Sequence, residues 1–141
     1  MTSAVGRGIS YFFWKGESGM LVNCLFVGLG GAAGAVARYL LGLLPLRSGS
    51  GFPLATLGIN VAGAFCLGLI GALAARHGAA DPRLLLFLRV GLCGGFTTFS
   101  TFCQESVQLF QSGKFFLGGL YVGLSVLLGL GAVALAQLAV K

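Results

Sequence analysis

Hydrophobic positions in this chain do not alternate with polar ones at the short period of a half-exposed element. They run together in four blocks, residues 20–44, 52–75, 84–110 and 115–140. Each block is near the ~20 residues an α-helix needs to cross a hydrocarbon core. Only Arg38 interrupts the first block and only Arg89 and Glu105 the third, while the second and fourth carry no charge. The connections are short and rich in turn formers: RSGSG after Pro45, RHGAADPR between the second and third blocks, QSGK between the third and fourth. The pattern predicts an all-α membrane protein, one compact unit of four transmembrane helices over residues 20–141. Residues 1–19 differ, with Arg7, Lys15 and Glu17 around SYFFW and neither the unbroken apolar core nor the cleavage site of a signal peptide. They read as a polar extension, disordered or interfacial, or as a misassigned start upstream of Met20.

Composition agrees with a membrane setting and narrows the partners. The chain is 57% hydrophobic and 9% charged, with a mean hydropathy of +0.97, more apolar than a water-exposed surface of this size tolerates. Nine basic against three acidic residues give a formal charge of +6. On so apolar a chain, basic residues at block ends are topology anchors, and a nucleic-acid partner is not expected. With both termini on one side, Arg7, Lys15, Arg76, Arg83 and Lys141 face Arg47 and Lys114 across the membrane, a bias of five to two. Without residues 1–19 it falls to three against two, close to no preference, so the chain from Met20 can insert either way. Cys24, Cys66, Cys93 and Cys103 lie inside the blocks without CxxC spacing and read as small packing residues.

Several residues are expensive where they stand. In GGFTTFSTF, residues 94–102, two glycines that loosen a helix precede a β-branched pair, and hydroxyls then interleave with rings. Thr98, Thr101 and Glu105 follow an i, i+3, i+7 stripe on one helical face, and Phe99 and Phe102 are also three apart. Asn60 lies deep in the uncharged second block, where an amide needs either an interhelical hydrogen bond or an anion to receive its donor. Arg38 snorkels to the interface or faces an aqueous vestibule. The 25 glycines include GxxxG pairs at Gly30 and Gly34, Gly91 and Gly95, and Gly119 and Gly123, suited to close helix contact. GLGGAAG at residues 28–34 imitates a dinucleotide fingerprint but has no preceding strand and no acid about 20 residues on, so helix packing is its reading.

These side chains suit a path for a small anion. A phenyl ring carries its positive charge at the edge, so ring edges with Ser, Thr and Asn donors replace part of an anion's water shell without a fixed cation that would hold it too tightly. Unwound backbone survives in a membrane when its carbonyls find partners, and a bound cation is one such partner. Four helices are too few for a wide pore, so the polar residues in the spans either pair inside the bundle or line a path completed by another subunit, and an oligomer is expected.

Three segments, GGAAGAVARY at residues 30–39, PLATLGINVAGAFCLG at 53–68 and GGFTTFSTFCQE at 94–105, together resemble the signature segments of the Fluc-type fluoride channels, the CrcB family. The resemblance covers essentially residues 20–140. It implies a passive, highly selective channel that exports cytoplasmic fluoride across the bacterial inner membrane. It also implies an antiparallel, dual-topology homodimer of four-helix subunits with broken third helices. Carried over by motif position, Asn60 donates to fluoride, Phe99 and Phe102 present ring edges, and Ser100 and Thr101 supply hydroxyls. Gly94 and Thr97 offer backbone carbonyls to a structural sodium ion (Na+) at the dimer centre. Arg38 shapes a vestibule, Glu105 lies near a pore end, and Tyr121 is the available fourth-helix hydroxyl. One departure is Ala55, where the family more often has glycine before the threonine.

The alternative is a small four-helix, proton-coupled multidrug exporter, which resembles this chain in size but needs a carboxylate in its first helix. None lies in residues 20–44. An inert assembly subunit explains the glycines but not Asn60 with TTFSTF. An enzyme is not expected, because no Ser/His/Asp set, metal cluster or paired acids lie in the spans.

Overall fold

A computed structural model describes residues 17–44, 49–78 and 80–141. The described residues form helices joined by turns: α1 (Glu17–Gly42), α2 (Leu54–His77), α3 (Pro82–Leu85), a π-helical stretch (Leu86–Cys93), α4 (Gly94–Phe96), α5 (Phe99–Gln111) and α6 (Phe115–Ala139). Four candidate membrane spans result, Gly19–Gly42, Leu54–Arg76, Pro82–Gln111 and Phe115–Ala139. They match the four apolar blocks to within a few residues. α1 begins at Glu17, before the apolar run, so the last residues of the expected extension are helical; residues 1–16, with Arg7 and Lys15, lie outside the described residues, as does Arg47.

The spans end where local chemistry requires it. Pro53 precedes α2, and Gly78 closes it with φ +62° while its amide bonds Ala74 O, a left-handed cap that suits glycine. Asp81 caps the third span by accepting from the Arg83 amide, with Pro82 in the first turn. Arg76 donates to Val140 O at 2.6 Å, tying the end of α2 to the end of α6.

Packing depends on glycine at two contacts. α1 lies against the π-helical stretch and α4, and α2 lies against α6. A Cβ on Gly30 would collide with Phe87 O, one on Gly34 with Leu92 O, and one on Gly95 would come within 2.5 Å of Gly31 O. Two of the three GxxxG pairs therefore face each other, and the imitation of a nucleotide fingerprint is part of a helix contact. The third pair, Gly119 and Gly123, meets nothing within 4 Å. On the other side Leu57, Leu109 and Tyr121 form a buried cluster, with Phe52, Val61, Phe102 and Leu117 around it. Of the cysteines, Cys93 is buried, but Cys24 and Cys66 face outward and do not pack inside the subunit.

Candidate functional site

The third span is interrupted, and the break falls later than the glycine pair suggests. Gly94 is helical at φ −65° and ψ −39°. The chain extends instead at Thr97 (φ −81°, ψ 158°) and Thr98 (φ −147°, ψ 111°). β-Branched residues favour extended backbone, whereas Gly94 and Gly95 stay in the helix that packs on α1.

Asn60 holds the break from both sides. Its Nδ2 donates to Thr98 O at 3.1 Å, and its Oδ1 accepts from the Thr98 amide at 2.8 Å. The interhelical role expected of Asn60 is thus fulfilled, and one Nδ2–H remains, since a primary amide carries two. Gly63, one turn on, makes room for the break, because a Cβ there would collide with Thr97 Cγ2.

The pairing reassigns carbonyls. In a continuous α-helix the Thr98 amide would bond Gly94 O, and the Thr101 amide would bond Thr97 O. Here the first turns to Asn60, and the second bonds Thr98 Oγ1 at 3.2 Å, as in an N-cap. The carbonyls of Gly94 and Thr97 thereby lose their helical donors. Gly95 O, whose donor is displaced as well, accepts from Arg38 Nε at 3.2 Å. Arg38 is therefore spent on the break and does not snorkel freely.

Beyond the break the polar stripe lines a cleft. An opening of about 1010 Å³ is lined by Arg38, Thr56, Thr98, Thr101, Glu105 and Lys114 among others. Thr98 Oγ1 donates to Thr101 Oγ1 at 2.9 Å and lies 3.4 Å from Ser100 Oγ. Glu105 is gripped at both oxygens, by Thr56 Oγ1 at 2.8 Å and by Tyr121 OH at 2.7 Å. Tyr121 is fully buried, so its hydroxyl serves the carboxylate from inside the subunit.

The two rings divide between inside and outside. Phe102 packs on Tyr121 with centroids 5.3 Å apart, while Phe99, 5.7 Å from Phe102, is 78% exposed. Ser100 and Gly94 are also on the outer surface. The structure therefore gathers Arg38, Thr101 and Glu105 around one cleft and leaves Phe99, Ser100 and Gly94 facing away from the subunit.

Two further polar side chains belong to the same region. Thr56 stands one turn before Asn60, and Ser125 one turn after Tyr121, its hydroxyl buried without a partner among the described residues. The i, i+4 spacing from a residue already suspected is the signal that could have found both.

Comparison with known proteins covers most of the chain. The profile of the family described as CrcB-like protein, Camphor Resistance (CrcB), matches residues 25–137. The chain is similar to a protein of Ruegeria sp. (strain TM1040) named fluoride-specific ion channel FluC, 44% identical over 124 residues, 86% of this chain and 97% of that one. A protein of the same name from Chlorobaculum tepidum is 43% identical over 122 residues, covering 86% of this chain and 97% of its own length.

Proposed function

Because the chain belongs to the CrcB family, we propose that it is a fluoride channel, passive and selective, that lets fluoride leave the cytoplasm through the bacterial inner membrane. The observation that carries the reading is the clamped break. Asn60 bonds Thr98 in extended form, so a break held inside a candidate membrane span carries the hydroxyls of Thr98 and Thr101 and is followed at once by the Phe99–Phe102 pair.

Selectivity follows from the donor chemistry. Asn60 is held by its own hydrogen bonds, so donating its remaining N–H costs no reorganisation. Phe99 and Phe102 offer positive ring edges, and Ser100 and Thr101 offer hydroxyls. None of these is a full charge, so a dehydrated small anion is stabilised without being trapped. Arg38 shapes the vestibule from the cleft wall, and Glu105 marks the pore end, where Thr56 and Tyr121 keep its carboxylate turned from the path.

A second subunit completes the path. Phe99, Ser100 and Gly94 are all exposed on the subunit, and a serine hydroxyl and a bare glycine backbone suit a homodimer more than a subunit surrounded by lipid. The near-even charge of residues 20–141 supports an antiparallel arrangement with dual topology. The carbonyls of Gly94 and Thr97, with their helical donors diverted, fit a hard cation. One chain offers two such oxygens and two chains offer four, which supports a shared structural sodium ion. Bound there, the ion would neutralise the freed carbonyls and hold the two breaks together.

The test is electrogenicity. Vesicles loaded with potassium fluoride and held without a proton gradient should release fluoride only when a potassium ionophore supplies the counter-current. Release that needs a proton gradient and no ionophore would contradict a passive channel.

A further inference from the structure

Arg89 has no place in the site described above, yet it stands inside the third span. It is exposed, and among the described residues it makes no hydrogen bond or ion pair. A guanidinium inside a membrane requires an acceptor, and the acids among the described residues do not supply one. Glu105 lies beyond the break with each oxygen already bonded, one to Thr56 and one to Tyr121. Asp81 lies in a connection and accepts from the Arg83 amide, and Glu17 lies just before the first span.

The guanidinium rests on α2 where that helix has no side chain. An ideal Cβ on Gly71 would meet Arg89 alone, 3.8 Å from a terminal nitrogen and 3.9 Å from Cζ. Leu67 and Ala75, one turn to either side of Gly71, are exposed, as is Val90 beside Arg89. The charge therefore lies on open apolar surface of the kind that acyl chains cover. Its depth is modest. The second span, Leu54–Arg76, has 23 residues, about 35 Å at 1.5 Å per residue and longer than a hydrocarbon core of ~30 Å. The Arg76 end of α2 thus reaches the headgroup layer, and Gly71 lies about 7 Å below Arg76, within the stretch of an arginine side chain and a slight local thinning. The same end of the bundle carries Arg76, Arg83 and Lys141, all exposed, with Asp81 and Glu17 as its acids.

We propose that the surface formed by Arg89 and Gly71 binds the headgroup of an anionic phospholipid, the guanidinium donating to the phosphodiester while an acyl chain lies along Leu67 and Val90. A planar guanidinium offers paired N–H groups to two phosphate oxygens, and the bare Gly71 backbone lets it lie flat enough to present them. The basic excess at this end of the bundle favours a headgroup with net negative charge over a zwitterionic one.

The test counts lipid bound to the purified full chain by native mass spectrometry, in mixed micelles titrated with phosphatidylglycerol or phosphatidylcholine, for wild type, Arg89→Gln, Arg89→Lys and Arg83→Gln. Wild type should bind phosphatidylglycerol in preference, and inorganic phosphate should not displace it. Arg89→Gln should weaken the tightest phosphatidylglycerol site about fivefold or more, Arg89→Lys less than that, and Arg83→Gln about twofold at most. A wild type without the preference, or one that yields its lipid to inorganic phosphate, overturns the lipid site whether or not a variant folds. An Arg89→Gln protein that keeps its phosphatidylglycerol, even with a weakened dimer, or an equal loss in Arg83→Gln, overturns the role of Arg89.

Discussion

At residue scale, Asn60 and Phe99 represent the two halves of the site, one turned inward and one outward. Asn60 spends an acceptor and a donor on Thr98, so Asn60→Ala would leave both the amide and the carbonyl of Thr98 unpaired in a membrane interior. The expected loss is about 1–3 kcal/mol of unfolding free energy, on the scale of buried polar groups stripped of a partner. Reversible unfolding in mixed micelles would measure it, and wild-type stability would contradict the clamp. Phe99 makes little use of its ring inside the subunit, being 78% exposed. Phe99→Ile keeps an apolar surface but removes the ring edge, and fluoride flux should fall about tenfold, the rate equivalent of one aromatic contact. Wild-type flux through a folded variant would contradict the ring-edge role.

At the scale of elements, the spans were legible because membrane helices announce themselves by length and hydropathy, and the four blocks became four spans. The exact break was not. GGFTTFSTF drew attention to its glycines, but a glycine in a membrane helix serves close approach as readily as unwinding, and only tertiary contacts decide. Gly91 and Gly95 meet Gly30 and Gly31, while Thr97 and Thr98 extend. The polar stripe Thr98, Thr101 and Glu105 was legible from helical period, since all three lie on α5 or its cap. The contacts of Glu105 with Thr56 and Tyr121 were not, because they join three spans distant in sequence. The glycine contact can be tested against a control on the same helix. Gly34→Ala would press a methyl onto Leu92 O and should destabilise the bundle by about 1–3 kcal/mol, as overpacking does. Gly28→Ala, with nothing within 4 Å, should be neutral or gain up to about 1 kcal/mol from helix propensity. Equal effects of the two in the same unfolding assay would contradict the close α1 contact.

At the scale of the whole molecule, one subunit presents a polar cleft beyond the break and leaves a phenyl ring, a serine and a glycine exposed. Pairing two copies would cover these residues and bring the diverted carbonyls of Gly94 and Thr97 together. Sodium should then be structural, so prolonged exchange into a large organic cation should abolish fluoride flux and restored sodium should recover it. Undiminished flux after exhaustive exchange would contradict a sodium site. The central claim, that this bundle conducts fluoride selectively, is tested most directly by recording fluoride and chloride together as they leave sealed vesicles containing the purified protein. The account predicts rapid loss of fluoride with chloride retained; retention of both ions by vesicles that hold folded protein would contradict it.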